Sequence, residues 1–359
     1  MTTNPKPTLV RLAELLLLGA LPVLALVLAL WAYAGDDRLA LDFHHELYRQ
    51  AEAVANGDDA YESPGADLSD RSNAVWPMAA VLPIVPLTAL PPDVADWLAT
   101  LFVIASLVAA LWLLEVRDWR IYGVVLLWPA VIEAVQTANA SLPLTMLVAL
   151  MWRYRDRAGI AGVALGYGVA VKLFLWPLVV WLALVGRVRA AVIAAVVAAA
   201  SLVLLLPFTG LGDYVRLLRN LGETFEHHAY TPFALLADLG VPDTVARVIT
   251  VVLGLVVLAL AWKRRSLGLA IAAALVLSPI VWRHFFVLLL VPLALSRPRF
   301  DAVWLIPIGL WLGDGTFNGE PWQTALVLAL VVVTFVLCEL TPRRSAGPAH
   351  SPAPASVPI

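Results

Sequence analysis

Cysteine and charge are both scarce in this 359-residue chain. The single cysteine, Cys338, excludes a disulfide framework and a thiolate metal cluster. Charged residues make up 14%, against about 25% in soluble proteins, which is too few to coat a water-exposed surface. The formal net charge of −2 gives no basic signature of nucleic-acid binding. With 61% hydrophobic residues, disorder is also excluded, and the composition indicates an all-α, polytopic membrane protein.

Long apolar runs recur along the chain. The first, Leu12 to Ala34, is longer than the core of about 7–15 residues in a signal peptide, so it predicts a transmembrane helix. With it we count about twelve spanning or half-spanning segments: 12–34, 74–90, 95–116, 121–136, 140–152, 160–186, 190–208, 242–262, 266–282, 285–296, 301–313 and 322–340. Several fall short of the roughly 20 residues that a full crossing needs, so some must be tilted, broken or re-entrant.

The distribution of Lys and Arg predicts the orientation in a cell membrane. Lys6 and Arg11 precede the first span, which predicts a cytoplasmic N-terminus. The basic clusters at 187–189, 263–265, 297–299 and 343–344 fall on the same side, and the 35–72 and 209–232 loops fall outside. Residues 1–340 are thus predicted to form one membrane domain, followed by a disordered, Pro/Ala/Ser-rich cytoplasmic tail over 341–359.

Simple alternation of spans conflicts with one basic stretch, Arg153 to Arg157, which it places outside. A re-entrant 74–90 segment and a break of the 160–186 run near Lys172 would resolve the conflict. We favour this version, in which Lys172 turns outward.

The 35–72 loop holds ten of the 26 carboxylates of the chain. Most of them are typical of a solvated outer loop. Asp42 differs because Leu41, Phe43 and Leu47 form an apolar stripe beside it, which predicts an amphipathic helix at the membrane interface. A carboxylate at the start of such a helix faces the mouth of the bundle, where it can act as a general base.

Lys172 lies midway in the apolar run from Gly159 to Val185. A lysine at that depth costs about 2.5–3.5 kcal/mol on insertion scales, so it should face the bundle interior and a partner. One reading pairs it with Glu133, the only acidic residue at similar depth. The other makes it a cation for an anionic ligand head, with Pro177 opening the helix.

Arg283 and His284 end an apolar run on the predicted outer side. They are either interfacial anchors or a cation and a titratable imidazole on the same face as Asp42. Convergence of His284 with His44 and His45 on one metal ion is not favoured, because the side chains of adjacent helical residues such as His44 and His45 point about 100° apart. We therefore predict neither a metal nor another cofactor.

Each of two further polar stretches has two alternative roles. Gln136 and Asn139 interrupt apolar segments, and they either hydrogen-bond a polyol or cap helices. The 209–232 loop, with His227 and His228, is amphipathic and forms either a second interfacial helix over the site or a solvated loop.

Three sequence blocks resemble glycosyltransferase family 87. Asp42-Phe43 with Tyr48, Ala51, Gly57 and Tyr61 resembles the first outer loop of that family. Gly162, Gly166, Ala170, Lys172 and Pro177 resemble its small-residue helix, and Ser278-Pro279, Trp282 and His284 resemble its Ser-Pro-x-x-Trp-x-His block. The family comprises polyprenyl-phosphate-mannose-dependent mannosyltransferases of the GT-C superfamily.

The resemblance implies a GT-C-like helical fold and roles for single residues. Asp42 would be the essential outer-loop carboxylate, Lys172 would contact the donor phosphate, and His284 would lie at the catalytic centre. The sequence departs from the family at Gln136 to Ser141, where Gly-Gln-x-Asn is only loosely matched, and at Tyr230 to Phe233, which replaces Asn-x-Ser. These departures leave the sugar and the acceptor open.

The function expected from the residues and the resemblance is transfer of a hexose, with mannose favoured. The donor would be a polyprenyl phosphate and the acceptor a hydroxyl of a glycolipid or polysaccharide on the outer face. One evident base favours inversion at the anomeric carbon. The expected site comprises catalytic Asp42 and His284, phosphate-binding Lys172 and Arg283, and sugar- or acceptor-binding Tyr48, Tyr61, Gln136, Asn139, His227 and His228. The rival functions are a transporter or flippase of lipid-linked sugars, a non-catalytic assembly subunit, or another GT-C transferase.

Overall fold

The computed structural model describes residues 8–36, 38–68 and 74–341. Every regular element in these ranges is a helix, and no strand occurs among them, which confirms the all-α expectation. The predicted tail over 341–359 lies outside the described residues except for Thr341.

Helices follow one another with short connections. The α-helices are Thr8–Leu15 and Leu21–Gly35, joined by a π-turn into one helix, then Arg49–Asn56, Met78–Val81, Pro92–Leu113, Trp119–Val125, Pro129–Gln136, Ser141–Arg153, Ala158–Val171, Trp176–Leu184, Val188–Val203, Leu211–Phe225, Pro232–Asp238, Asp243–Arg264, Leu267–Leu277, Leu290–Ser296 and Pro321–Leu340. Shorter 3-10 and π elements are Phe43–Tyr48, Val85–Ala89, Leu173–Leu175, Glu226–His228, Arg283–Leu289 and Ala302–Leu312.

Four described helices are long and apolar enough to cross a membrane: Thr8–Gly35, Pro92–Leu113, Asp243–Arg264 and Pro321–Leu340. A fifth span is possible if Pro129–Gln136 and Ser141–Arg153, which meet at 113°, count as one broken crossing. The expectation of about twelve segments is therefore not confirmed. Hydropathy reports how apolar a run is, whereas crossing about 30 Å also requires about 20 helical residues without a break. Most of the remaining runs form helices of 10–17 residues.

The predicted break near Lys172 is present. The Ala158–Val171 helix ends there, Lys172 itself is extended with φ −142° and ψ 111°, and a new helix starts at Trp176 with Pro177 in its first turn. Proline at that position is preorganised for a helix start but cannot continue the preceding helix. The 74–90 segment likewise forms only the short Met78–Val81 helix and a 3-10 turn.

Close helix packing surrounds this break. A Cβ atom on Gly166 would lie 2.6 Å from the carbonyl oxygen of Ala194, and one on Gly162 would lie 2.6 Å from Cβ of Ile193. The two glycines therefore let the Ala158–Val171 helix approach the backbone of the Val188–Val203 helix. That contact packs the helix leading to Lys172 directly against its neighbour.

The predicted amphipathic helix after the first span is also present. Phe43–Tyr48 and Arg49–Asn56 are continuous and bury Phe43, Leu47 and Ala51, until Gly57, in the left-handed region at φ +75°, ends the run. The second loop contains the Leu211–Phe225 helix, so of the two open readings the amphipathic helix is the one found.

Candidate active site

A cavity of about 470 Å³ lies where the first loop meets the broken helices. Its polar wall contains Asp42, His45, Glu46, Glu133, Gln136, Asn139, Lys172, Arg283 and His284. Its apolar wall comes largely from Trp76, Leu218, Leu221, Phe225, Trp282 and Phe317. Asp42 and Lys172 thus open into one shared space, although 130 positions separate them in the printed sequence.

Backbone hydrogen bonds attach the first loop to the turn at 136–139 and so place Asp42. The N–H groups of Asp42 and Phe43 both donate to the carbonyl oxygen of Thr137 at 3.1 Å. Nδ2 of Asn139 donates to Oδ2 of Asp42 at 2.6 Å. Asp42 is partly exposed and lines the cavity while this hydrogen bond holds its carboxylate. A carboxylate held in this way is suited to accept a proton from a ligand.

Lys172 lies at the helix break with its Nζ between two aromatic rings. The ring centroids of Trp76 and Phe285 are 4.4 and 4.6 Å from that nitrogen, at cation–π distance. Trp76 is itself held because its backbone N–H and C=O both bond to the buried amide of Gln50 at 3.0 Å. The carboxylates whose charge acts on Lys172 are Glu46 and Asp42. The alternative pairing of Lys172 with Glu133 is not formed.

Glu133 instead pairs with Arg283. Nε of Arg283 donates to Oε2 of Glu133 at 2.9 Å, and the two side chains are 12% and 5% exposed. The other oxygen, Oε1, accepts the hydroxyl of Thr316 and lies 3.7 Å from Nδ1 of His284. The charge of Arg283 is therefore largely compensated, whereas Lys172 has no such direct pair among the contacts described.

His284 is 2% exposed, and neither ring nitrogen has a hydrogen-bond partner among the described residues. Buried imidazole nitrogens without partners are rare, since each loses its hydration without compensation. Because the ring also lines the cavity, a substrate oxygen can supply the missing partner.

Asn139 lies in the turn before the Ser141–Arg153 helix and lines the cavity, so polyol binding by this polar stretch stays a prediction. Its Oδ1 accepts the N–H and the hydroxyl of Ser141 at 3.0 and 2.7 Å, at the start of the Ser141–Arg153 helix. Its amide nitrogen remains for Asp42. Gln136 lines the cavity as well, and its carbonyl oxygen accepts the N–H of Ala40 at 2.7 Å.

Residues 75–292, more than half of the chain, match the family model of glycosyltransferase family 87. The chain belongs to glycosyltransferase family 87. It is therefore a membrane glycosyltransferase, which confirms the resemblance seen in the sequence. The matched range includes Lys172, Arg283 and His284, whereas Asp42 precedes it. Comparison with curated proteins and with solved structures gave no match.

Four residues expected in the sugar- or acceptor-binding part of this family 87 site do not line the cavity. Tyr48 is 4% exposed and donates to the carbonyl oxygen of Leu90, and Tyr61 donates to that of Trp76. Burial raises the pKa of Tyr61, so its hydroxyl stays a donor. His227 lies 3.4 Å from Asp243, and His228 contacts the ring of Phe317. Tyr48 lies on a buried face of the amphipathic helix, because side chains of such a helix divide between its two faces, whereas Tyr61 follows the end of that helix at Asn56.

The adjacent histidines of the first loop also diverge. Nδ1 of His44 lies 2.9 Å from Oδ2 of Asp96, while His45 lines the cavity. Burial lowers the pKa of His45, which favours the neutral ring near pH 7. Within the described ranges, no three His, Cys, Asp or Glu side chains are grouped as metal ligands.

Sequence reasoning missed several cavity residues of this family 87 protein. Glu46 lies four positions after Asp42 on one helical face, a spacing that predicts a shared environment. Thr316 and Phe317 come from a connection that carries no motif. The aromatic wall joins Trp282 to Phe225 and Phe317 at centroid distances of 5.5 and 5.3 Å, and only the tertiary structure brings these rings together.

Proposed function

We propose that this family 87 glycosyltransferase transfers mannose from a polyprenyl phosphate to a hydroxyl group of a glycolipid or polysaccharide. The observation that carries the proposal is the shared cavity of Asp42 and Lys172, which offers a base and a cation to one substrate. The choice of mannose and of the polyprenyl donor follows from the resemblance of the three sequence blocks. No metal or other cofactor enters the proposed reaction.

Lys172 is proposed to bind the donor phosphate. Its side chain lines the cavity at the helix break, and among the described residues it has no direct carboxylate partner of the kind that Arg283 has. The apolar wall beside it, from Leu218, Leu221 and Phe225, suits the first isoprene units of a lipid carrier. A donor phosphate at this position would therefore contact the charge of Lys172, and the lipid tail of the donor would contact the apolar wall.

Asp42 is proposed as the general base. It takes the proton of the acceptor hydroxyl while that oxygen forms a bond to the anomeric carbon of the sugar. The bond from this carbon to the phosphate oxygen breaks, and its electron pair leaves with the polyprenyl phosphate. Lys172 stabilises the negative charge that develops there. Attack from the face opposite the leaving group inverts the anomeric configuration.

The remaining polar residues are proposed to orient the sugar. His284, whose ring nitrogens have no hydrogen-bond partner within the described chain, bonds a sugar or phosphate oxygen. Glu133 holds Arg283 and lies beside His284, so the two side chains stay fixed as substrate enters. Gln136 and Asn139 are placed along the same wall for a polyol.

The outer face of the cell membrane is proposed for this chemistry, with both termini cytoplasmic. The support is the distribution of Lys and Arg, which gathers at the opposite end of the helices. Nucleotide sugars are confined to the cytoplasm, so a lipid-linked donor suits a site on the other side. The lipid bilayer is then part of the binding environment.

The test is transfer from radiolabelled polyprenyl-phosphate mannose in membranes containing the chain. Asp42→Asn keeps the size and the contact with Asn139, so we expect a loss of at least about 100-fold in kcat with normal expression. Glu52→Gln removes an exposed carboxylate ten residues further on and serves as the matched control, with activity unchanged. Lys172→Met should lower kcat/KM by about 100-fold or more.

Full activity of Asp42→Asn would refute the assignment of the base. Movement of label across the membrane with its glycosyl phosphate bond intact would instead identify a flippase of lipid-linked sugars.

A further inference from the structure

A second cavity, of about 440 Å³, lies at the opposite end of the helices from the candidate active site. Its wall includes Arg265, Arg297, Arg299, Trp152, Leu267 and Leu295. We call it the distal cavity. Its position follows from the helices that connect the two cavities.

The Pro321–Leu340 helix starts four positions after Phe317 of the first cavity and reaches Cys338 and Glu339 of the distal one. Twenty helical residues span about 30 Å, which is the thickness of a bilayer core. The Arg283–Ser296 stretch also starts in the first cavity and ends in the second. The two cavities therefore belong to opposite faces of the bundle.

Three arginines face two carboxylates in the distal cavity, which leaves one positive charge in excess. Arg297 is paired through Nη1 with Asp301 at 2.5 Å, and its Nη2 donates to the carbonyl oxygen of Leu337 at 3.3 Å. Its Nε is buried and has no hydrogen-bond partner among the described residues. A buried donor of a charged group without an acceptor is destabilising, and an anionic oxygen would supply the missing acceptor.

The other two arginines are exposed at the rim. Nη2 of Arg265 donates to the carbonyl oxygen of Val185 at 2.7 Å, which leaves its other nitrogens for a ligand. Arg299 is exposed beside Arg297. Guanidinium groups bind phosphate oxygens through paired N–H donors, so two or three of them around one cavity suit that group.

Apolar side chains complete the distal cavity. Trp152, Leu267, Pro292 and Leu295 line it next to the arginines. Basic pockets between transmembrane helices that have such walls bind the head groups of anionic lipids, with the chain start on the apolar side. A soluble phosphate compound would use the same arginines but not these side chains.

We propose that the distal cavity binds a phosphate group, carried by an anionic phospholipid or free in solution. The excess of Lys and Arg at this end places the cavity at the cytoplasmic face by the positive-inside rule. The proposal shares no residue with the candidate active site, and it holds whatever sugar the chain transfers.

The experiment compares two double variants of the full chain that remove equal charge. Arg265→Gln/Arg299→Gln changes the distal cavity, whereas Arg189→Gln/Lys263→Gln removes two exposed basic residues from neighbouring positions outside it. Purified proteins are equilibrated with equal amounts of phosphatidylglycerol and phosphatidylcholine, and native mass spectrometry measures the lipid retained. In a second arm, inorganic phosphate is titrated against thermal unfolding in a lipid-free detergent.

We expect the unchanged chain and the control to retain phosphatidylglycerol over phosphatidylcholine at least fivefold, and the distal-cavity variant to lose this preference. That result identifies a lipid head group as the source. Stabilisation by inorganic phosphate that is lost only in the distal-cavity variant, without a lipid preference, identifies a free phosphate.

Equal behaviour of the two double variants, or no response of the unchanged chain in either arm, would overturn the proposal. If the double variant fails to fold, Arg299→Gln alone replaces it, because this exposed side chain has no hydrogen bond among those described. It is compared with Lys263→Gln by the same criteria.

Discussion

The Glu133–Arg283 pair offers a quantitative test of how the candidate active site is held together. The two side chains meet at 2.9 Å and are only 5% and 12% exposed. Removing one partner of a buried pair leaves an uncompensated charge and costs about 3–5 kcal/mol. Because Arg283 borders a cavity that water can enter, we expect Glu133→Gln to cost about 3 kcal/mol of unfolding free energy, at the lower end of that range.

The double variant Glu133→Gln/Arg283→Gln should cost clearly less than the sum of the two single changes, because two neutral amides leave no buried charge. We expect a coupling free energy of about 2–3 kcal/mol in a double-mutant cycle. The exposed pair Asp213 and Arg216, with side chains 46% and 68% exposed, is the matched control, with an expected coupling below about 1 kcal/mol.

Unfolding is followed in defined micelles by tryptophan fluorescence and far-ultraviolet circular dichroism, as denaturant is added. Two outcomes would refute the reasoning. One is a cost of Glu133→Gln no larger than that of Asp213→Asn. The other is additivity of the two single changes, which would mean that the charges do not compensate each other in the folded chain.

Three further predictions concern hydrogen bonding, packing and pH. Asn139→Ala removes the 2.6 Å hydrogen bond to Asp42 and should lower kcat about 10–100-fold in the transfer assay. In the Asp42→Asn background the same change should lower kcat little further, and additive losses would contradict the shared role. Gly166→Ala places a Cβ 2.6 Å from a backbone oxygen and should lower the free energy of unfolding in denaturant by about 1–3 kcal/mol. Gly159→Ala, where a Cβ meets open space, should leave it unchanged, and equal effects of the two changes would refute the close helix contact. The hydrogen bond from Arg120 holds the pKa of Asp118 at about 2, so its contribution of about 2 kcal/mol is present above pH 4 and lost as pH falls toward 2. Asp118→Asn should therefore destabilise the chain at pH 6 but barely at pH 2, and a cost independent of pH would count against this origin.

Several local features were predictable from the residues alone because they depend on neighbours in the chain. The amphipathic pattern from Asp42 onward predicted a helix, which the structure shows over 43–56, and Lys172 followed by Pro177 predicted a break in the apolar run. The family was also predictable, since its motifs are short and ordered along the chain. The number of spans was not, because an apolar run has the same hydropathy whether it forms one helix or two bent ones.

The pairing of charged side chains was likewise not predictable from the sequence. A lone lysine and a lone glutamate at similar depth suggested a pair, but the partner of Glu133 is Arg283, 150 positions further along the chain. Position in the sequence reports depth in the membrane, whereas pairing depends on which helix faces turn toward each other. Thr316, which bonds Glu133, lies in a connection without any pattern to mark it.

The sequence by itself determined that this chain is a helical membrane glycosyltransferase, and it singled out Asp42, Lys172 and His284 as candidate site residues within apolar surroundings. Only the tertiary structure decided that Asp42 and Lys172 share a cavity, that Glu133 compensates Arg283, and that a second basic cavity lies at the opposite end of the helices. The reason is physical. Composition and periodicity are set by the solvent around each segment, whereas contacts between distant segments depend on how broken helices pack against one another.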